Sequence, residues 1–276
     1  MRDTILFGDC LDTLKQFDEK PRCCITSPPY YGLRNYGGED NQIGQEESPE
    51  EYIQNLVKVF REVRNLLTED GTLWLNIGDS YYNYRPGKGQ SLVKQTVSNS
   101  KQDLPDKCAR RGNKLDGLKE KDLIGIPWML AFALRADGWY LRQDIIWHKP
   151  NPMPESVRDR CTKSHEYLFL LSKNQNYYFD VDAIKEPTRR KRSVWKITNK
   201  PYRGSHFAVF PPDLIKPCIL AGSEENDIIL DPFMGSGTTA FVAKELGRDY
   251  IGCELHEDYG KLIQKRLHER KVKIVQ

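Results

Sequence analysis

The sequence predicts an α/β fold built on a doubly wound, mostly parallel sheet. Three observations indicate this fold: short apolar runs alternate with segments of helical spacing, turn residues separate them, and polar residues follow several apolar runs. Such alternation is typical of parallel sheets, whose ligands bind beyond the carboxyl ends of the strands. The chain has 276 residues, 38% of them hydrophobic, which is enough for a sizeable core.

Elements in the first half follow from apolar runs and helical spacing. The apolar run Thr4–Phe7 ends at a Gly-Asp turn and leads into a helical pattern. A second strand over Arg22–Thr26 stops at two prolines, which cannot continue a ladder of hydrogen bonds. Apolar residues at helical spacing over 49–67 predict a long helix, and the turn after it starts a strand over Thr72–Ile77.

Two basic segments interrupt this pattern. Residues 81–123 have almost no periodicity and are too long for an ordinary connection, so we interpret them as a functional or mobile insertion and as a candidate DNA-recognition loop. The stretch Arg189–Arg203 contains seven basic residues and no acid, although the net charge of the chain is only +3. Charge concentrated in this way suits contacts with phosphates, and an ordinary solvated surface is the alternative.

Regular alternation returns after each basic segment. The apolar helix Ile126–Ala136 is closed by Gly138 and leads into two strands. Strands and helices then alternate again toward the C-terminus. The remaining predicted elements are strands near 143–147 and 166–171, a helix over 212–220, a strand over 227–230, a helix over 238–246, a strand over 250–253 and a last helix from about 257 to 270.

A glycine-rich turn follows the strand that ends at Leu230. It reads Asp231-Pro232-Phe233-Met234-Gly235-Ser236-Gly237-Thr238-Thr239, and glycines at such a turn let a ligand approach the backbone. A phosphate loop would carry Lys before the Ser or Thr, and its absence argues against triphosphate binding. Glu254 follows the next strand, where a carboxylate can accept hydrogen bonds from ribose hydroxyls. The pattern indicates a nucleotide-like ligand, with a plain tight turn as the alternative.

A second polar strand end reads Thr26-Ser27-Pro28-Pro29-Tyr30. An exocyclic amine is a poor nucleophile because its lone pair is delocalised into the ring. The Ser27 hydroxyl and the Pro28 carbonyl can accept from such an amine, while the prolines remove backbone donors that would oppose it. Tyr30 offers a flat face for a base extruded from a duplex. The alternative is a proline-rich turn with a core tyrosine.

These two motifs together resemble those of the beta-group, permuted DNA amino-methyltransferases, in which the catalytic motif precedes the cofactor motif. The resemblance covers nearly the whole chain and implies a Rossmann-like methyltransferase sheet with an inserted, variable target-recognition region. It implies S-adenosylmethionine as cofactor, S-adenosylhomocysteine as product, and no metal. The catalytic residues it implies are Ser27, Pro28, Pro29 and Tyr30.

The same resemblance implies a set of cofactor-binding residues. Asp9 corresponds to the residue that contacts the adenine of the cofactor, and the segment from His206 to Pro211 resembles the one that closes over its methionine end. Residues 147–154 resemble a target-pocket loop. The expected cofactor residues are Asp9, Thr26, His206, Phe210, Asp231, Phe233, Gly235, Ser236, Gly237, Thr238 and Glu254.

The resemblance also fixes how we divide the chain. Residues 1–80 and 124–180 form the catalytic half, 81–123 the basic insertion, 181–204 a basic variable segment, and 205–276 the cofactor-binding half. Sequence recognition is expected from the insertion, from the region 158–203, or from both.

The expected reaction is methylation of N4 of a flipped-out cytosine in double-stranded DNA, because Ser at position 27 is usual for N4-cytosine enzymes of this family. Adenine N6 is the alternative base, and protein glutamine a more remote substrate. A non-enzymatic DNA-binding module would leave the cofactor turn unexplained. We reject a carbon-5 cytosine enzyme, because Cys218 lies in a helical pattern without a reactive setting.

Partners and compartment follow from composition. The chain has no apolar run long enough to cross a membrane and no signal-peptide pattern, so we expect a cytoplasmic protein without membrane contacts. Its seven scattered cysteines lack the spacing of a metal site. Double-stranded DNA is the expected partner, and a homodimer and a cognate restriction endonuclease stay open.

Overall fold

The structure, a computed structural model, describes residues 1–32, 42–82, 115, 117–199 and 210–272, without the side chains of 268–272. The strands are β1 (Thr4–Phe7), β2 (Cys23–Thr26), β3 (Thr72–Ile77), β4 (Tyr140–His148), β5 (His165–Ser172), β6 (Val194–Lys196), β7 (Ile228–Asp231) and β8 (Asp249–Glu254). The helices are α1 (Cys10–Thr13), α2 (Pro49–Leu66), α3 (Ile126–Ala136), α4 (Pro212–Gly222), α5 (Thr238–Glu245) and α6 (Tyr259–Val272).

The eight strands form one sheet in the order β1-β8-β7-β2-β3-β5-β4-β6. Neighbouring strands pair in parallel from β1 to β3, and β6 pairs in parallel with β4. Only β5 runs in the reverse direction among these strands, because it pairs antiparallel with both β3 and β4. The carboxyl ends of seven strands and the amino end of β5 therefore share one edge of the sheet.

Helices cover both faces of the sheet, as a doubly wound fold requires. On one face, α2 and α3 bury an apolar stripe that includes Leu56, Phe60 and Leu130. On the other, α4 and α5 bury side chains such as Ile219 and Val242. Successive residues of β3 alternate between the two clusters, since the side chains of a strand point to opposite faces.

Local capping fixes where two of these helices begin. The Ser48 hydroxyl accepts a 3.2 Å hydrogen bond from the Glu51 backbone N–H, and Pro49 occupies the first helical position of α2. The cap of α3 comes from elsewhere in the chain. The Asp79 carboxylate, just beyond β3, accepts from the Gly125 and Ile126 backbone N–H groups at 3.0 to 3.2 Å. The end of β3 and the start of α3 are thereby joined.

The predicted alternation of strands and helices is confirmed, with shifts of a few residues at element ends. The sequence did not indicate β6, a three-residue edge strand within the basic variable segment. Most of the predicted insertion 81–123 lies outside the described residues. No helix in the described part of the chain is long and apolar enough to cross a membrane.

Candidate active site

Four adjacent parallel strands bring the polar strand ends together. Asp9 follows β1, Glu254 ends β8, Asp231 ends β7 and Ser27 follows β2, and these strands are neighbours in that order. The glycine-rich turn and the Ser-Pro-Pro-Tyr segment, some 200 positions apart in the chain, therefore lie side by side.

A buried carboxylate joins the two motifs directly. Asp231 accepts hydrogen bonds from the hydroxyls of Thr26 and Thr239, both at 2.6 Å, and from the Phe233 backbone N–H at 3.0 Å. Burial raises the pKa of Asp231 to about 6, although the three donors oppose that rise. The side chains of Asp231 and Thr26 thus hold the end of β2, the end of β7 and the start of α5 in one arrangement.

The glycine-rich turn is organised around Glu254. One carboxylate oxygen accepts from the Gly235 backbone N–H at 2.8 Å and the other from the His256 backbone N–H at 3.0 Å. Burial raises the pKa of Glu254. Gly235 and Gly237 adopt positive φ angles of 54° and 78°, which favour glycine. A Cβ added at Gly235 would meet no other atom closer than 3.9 Å, so this backbone is open to a ligand.

The sequence missed a buried arginine behind this turn. The Arg266 guanidinium, on α6, donates to the Ser236 and Thr238 hydroxyls at 2.7 Å and to the Ser236 carbonyl at 3.2 Å. Both hydroxyls point toward α6 and support the turn from behind. Arg266 reaches the turn because α6 packs against it. No local sequence pattern indicates that packing, so the sequence offered no signal for Arg266.

Four further residues were predicted to bind the cofactor. The Asp9 carboxylate caps α1 by accepting from the Leu11 backbone N–H at 2.8 Å. Phe233 is partly buried and contacts Phe60 edge-on, with ring centroids 6.4 Å apart. Phe210 packs on the opposite face of the sheet, against the cluster of α4 and α5. His206 lies outside the described residues.

The Ser-Pro-Pro-Tyr segment is held by contacts to its backbone. The buried Tyr52 hydroxyl, on α2, donates a 2.7 Å hydrogen bond to the Pro29 carbonyl. Ser27 is half-buried and Pro28 is buried. The Pro28 carbonyl accepts no hydrogen bond from the part of the chain that the structure describes. The Pro28 carbonyl, next to Ser27 in the chain, is therefore available to accept a hydrogen bond from a ligand.

Tyr30 is fixed in its orientation from two sides. Its hydroxyl donates to Glu166 Oε2 at 2.8 Å, and Asn76 Oδ1 lies 3.5 Å away. Gly78 lies against the ring, so closely that a Cβ there would come within 2.8 Å of Tyr30 Cε2. Burial raises the pKa of Tyr30 well above its usual value, and the negative charge of Glu166 raises it further. Tyr30 is therefore a neutral phenol in a defined plane.

Glu166 is the second site residue that the sequence did not single out. Its other oxygen forms an ion pair with the Lys149 ammonium, which also lies 4.2 Å from the centre of the Trp147 ring. Glu166 lies at this edge because β5 is antiparallel to its neighbours β3 and β4. The start of β5 therefore lies beside the ends of β3 and β4.

Basic side chains lie close to Glu166, and one of them, Lys163, is partly buried. Burial lowers the pKa of Lys163, whose ammonium donates to the Asp79 carbonyl at 3.2 Å. The pKa of His165 is lowered by burial and by the nearby Lys163. Arg160 lies 3.8 Å from the centre of the Tyr81 ring. The loop from 149 to 164 is thus anchored at both ends to the site.

The described residues favour neither a nucleophilic cysteine nor a metal site. Cys218 is buried within α4, and burial raises the pKa of its thiol well above the usual value. A thiol in that state is a poor nucleophile. Among the residues that the structure describes, no three His, Cys, Asp or Glu side chains are grouped as a metal site.

Comparison with known proteins adds independent findings. A family model described as DNA methylase, of the N6/N4 type, matches residues 22–265. The chain is 49% identical over 275 residues to the Type II methyltransferase M.SmaI of Serratia marcescens, covering 97% of this chain and 91% of that protein.

Solved structures show the same fold. The PvuII DNA methyltransferase, described as cytosine-N4-specific, superposes with a TM-score of 0.70 at 20% identity, covering 96% of this chain and 86% of that one. The M1.HpyAVI–SAM complex superposes with a TM-score of 0.60 at 21% identity, covering 96% and 98%. The predicted mostly parallel α/β sheet is confirmed.

Proposed function

Because this chain belongs to the N6/N4 family of DNA methylases, we propose that it transfers a methyl group from S-adenosylmethionine to N4 of a cytosine flipped out of double-stranded DNA. The observation that supports this most strongly is the 2.6 Å hydrogen bond from Thr26 to Asp231. It holds the acceptors for an amine next to the turn that suits a nucleoside cofactor. Methyl transfer requires that proximity.

The residues present fit the cofactor. The open backbone at Gly235 and the Glu254 carboxylate beside it suit a ribose with two hydroxyls. Asp9 lies at the end of β1, next to β8, where it would face the adenine. S-adenosylmethionine supplies the methyl group as an electrophile on a positively charged sulfur. We further propose that Phe233, Gly237 and the segment containing Phe210 and His206 complete this site.

The Ser27–Tyr30 segment would perform the chemistry on the base. The Ser27 hydroxyl and the Pro28 carbonyl accept from the two N4 hydrogens, which localises the nitrogen lone pair for attack. Tyr30 stacks on the flipped base, in the plane that Gly78 and Glu166 set. As the N4–carbon bond forms, the bond between that carbon and the cofactor sulfur would break, its electron pair would stay on sulfur, and S-adenosylhomocysteine would leave. N4 becomes cationic and then loses one proton to solvent. No strongly basic residue is needed.

Cytosine is favoured over adenine by two lines of support. Ser27 occupies the first position of the motif, and the superposed PvuII enzyme is described as cytosine-N4-specific. Adenine N6 presents the same amine chemistry and is the second candidate. M.SmaI is described as a Type II methyltransferase, which favours a cognate restriction endonuclease as partner. A homodimer stays a prediction.

The DNA backbone would contact the basic side of the site. Lys149 follows β4, Arg160 and Lys163 precede β5, and the basic segment 189–196 adjoins the β4–β6 edge of the same sheet. Contacts between these side chains and phosphates provide affinity, whereas base recognition requires contacts to base edges.

The test is methylation of unmodified genomic DNA by the purified protein with labelled S-adenosylmethionine, followed by mass spectrometry of the nucleosides. Ser27→Ala protein prepared in parallel controls for methyltransferases of the expression host. N4-methylcytosine supports the proposal, and N6-methyladenine would keep the mechanism while overturning the base. If the protein binds the cofactor but transfers no label to DNA, the proposal is contradicted, and protein glutamine becomes the substrate to test.

A further inference from the structure

The stretch of chain from Glu254 to Arg266 contacts the glycine-rich turn at both of its ends. At the first end, one Glu254 oxygen accepts from the Gly235 backbone N–H at 2.8 Å. At the other end, the Arg266 guanidinium on α6 donates to the Ser236 and Thr238 hydroxyls at 2.7 Å and to the Ser236 carbonyl at 3.2 Å. The end of β8 and the helix α6 therefore hold the turn between them.

The two sides of this turn differ in exposure. Phe233 and Gly235 are partly exposed, and a Cβ added at Gly235 would meet no other atom closer than 3.9 Å. Ser236 and Thr238 are only 3% and 2% exposed, and their hydroxyls accept from Arg266. A ligand would therefore approach the turn from the side of Gly235, while the two hydroxyls face α6.

Packing fixes where Arg266 lies. Its residue surface is only 7% exposed, and Ile263 on the same helix is buried in the cluster of α4 and α5. A Cβ added at Gly237 would come within 3.2 Å of two Ile263 side-chain atoms, so α6 lies directly against the turn. A guanidinium presents its donors in a rigid planar fork. Because packing fixes this fork, it also fixes the positions of the acceptors Ser236 and Thr238.

We propose that Arg266 is a positioning residue for the cofactor. By holding Ser236 and Thr238 from α6, it keeps the backbone at Gly235 in the conformation that S-adenosylmethionine binds. The inference rests on the cofactor site proposed at this turn. Ser236 and Thr238 then contribute to binding through the shape of the turn, because their hydroxyls are committed to Arg266 and not to the cofactor.

The physical reason is the backbone freedom of the turn. Gly235 and Gly237 both have positive φ angles, and glycine can leave such conformations for others at little cost. Without the Arg266 contacts, the turn would spend only part of its time in the conformation that binds. The apparent affinity for a ligand falls in proportion to that fraction. The loss would therefore appear in the Kd for the cofactor even where the chain stays folded.

The experiment compares Arg266→Met with Arg248→Met in the full chain. Methionine keeps an apolar stem of similar shape but removes the guanidinium. Arg248 is a matched control because it is also 7% exposed and donates to the hydroxyl and carbonyl of Ser223. It precedes β8, however, and so lies at the opposite edge of the sheet from the turn. The readouts are the melting temperature without ligand and the Kd for S-adenosylmethionine, measured by calorimetry well below every melting temperature.

We expect Arg266→Met to raise the Kd for S-adenosylmethionine by about tenfold or more. Arg266→Lys keeps the charge but has no fork that reaches two hydroxyls, so it should raise the Kd by about threefold or more. Arg248→Met should lower the melting temperature and leave the Kd within about twofold of wild type.

Ser236→Ala separates positioning from direct contact with the cofactor. In wild-type protein we expect it to raise the Kd by about threefold, because Arg266 loses one of its acceptors. In the Arg266→Met background it should have no further effect, since the contact is already absent. Additive effects would overturn the inference, because a hydroxyl that binds the cofactor itself is lost independently of Arg266.

Equal increases of the Kd in Arg266→Met and Arg248→Met would also overturn the inference, since binding would then follow general stability. A Kd for Arg266→Met within about twofold of wild type would do the same. If Arg266→Met does not fold, Arg266→Lys against Arg248→Lys is the deciding pair, and an unchanged Kd in Arg266→Lys overturns the inference. All these outcomes require wild-type protein that binds the cofactor, so they are distinct from failure of the proposed function, in which wild-type protein binds none.

Discussion

The Thr26 hydroxyl donates a 2.6 Å hydrogen bond to Asp231, although the two residues lie 205 positions apart in the chain. Both side chains are buried, at the ends of the adjacent parallel strands β2 and β7. Asp231 also accepts from Thr239 and Phe233 in the cofactor turn. A substitution of either residue is therefore expected to disturb both motifs, although they are far apart in sequence.

Thr26→Val tests this connection with little change in side-chain volume. It removes one donor to a buried carboxylate, which we expect to cost about 1.5–3 kcal/mol of unfolding free energy. Cofactor affinity should fall as well, because Asp231 also orients Phe233. Urea unfolding and calorimetric titration with S-adenosylmethionine measure the two effects. Thr26→Ser keeps the hydroxyl and is the control; equal stability of the two variants would contradict the prediction.

The raised pKa of Asp231 makes stability depend on pH. Its pKa is about 6 in the folded protein and 3.8 when exposed, so the folded state holds the proton more tightly. Protonated Asp231 therefore stabilises the folded state by about 3 kcal/mol below about pH 4, and this stabilisation is lost as pH rises through 6. Asp231→Asn should remove this part of the pH profile in urea unfolding between pH 4 and 8.

Asp249→Asn provides a control of opposite sign. Burial would raise the pKa of Asp249, but hydrogen bonds from Lys244 and Arg2 outweigh it and lower the pKa. The stability contribution of Asp249 therefore grows as pH rises from its lowered folded pKa to about 3.8 and is fully present above that. Asp249→Asn should lose this gain in urea unfolding extended below pH 4. If both variants changed the profile in the same direction, the assignment of the Asp231 pKa would be wrong.

Most of the sheet and both motifs could be predicted from the sequence, because each is encoded locally. Proline pairs and glycine turns mark where strands stop, and polar residues at those stops mark the functional edge. The placement of Ser27 beside the Asp231 turn follows from the parallel order of β2 and β7 once the fold class is assigned.

Glu166 and Arg266 could not be found in that way. Glu166 stands at the start of an apolar strand, and only the reversed direction of β5 brings it to the functional edge. Arg266 lies on a helix with no distinctive pattern and reaches the turn through packing of α6. Strand β6 is three residues long within a basic stretch, too short for a periodicity to register.

Gly78→Ala should disturb Tyr30 without touching the base. The new methyl would lie 2.8 Å from Tyr30 Cε2, so the ring must move. We expect the methylation rate to fall by about tenfold, since small misplacements of reacting groups are costly. In a Tyr30→Ala background the same substitution should have no further effect, because the ring it displaces is gone. A further loss there would indicate damage elsewhere.

Ser27→Ala removes the side-chain acceptor and leaves the Pro28 carbonyl in place. Loss of one preorganised polar group from an active site costs on the order of 10²-fold in rate, and we expect a decrease of that size. Ser27 contributes no hydrogen bond to the cofactor turn, so the Kd for S-adenosylmethionine should stay within about twofold. Rate and Kd are measured on the same protein, and an equal loss in both would place Ser27 in the cofactor site instead.

Glu254→Gln tests the proposed ribose contact. Both carboxylate oxygens of Glu254 accept from backbone N–H groups, of Gly235 and His256. A glutamine has one acceptor oxygen, so its NH₂ must face one of these donors, and the turn and its ligand contact are both weakened. We expect the Kd for S-adenosylmethionine to rise about tenfold, with Glu257→Gln, an exposed neighbour, unchanged. The increase in melting temperature on adding cofactor separates binding from folding, because it is measured relative to each ligand-free variant. A lower melting temperature with a normal cofactor-induced increase would make Glu254 a support of the turn and not a ligand.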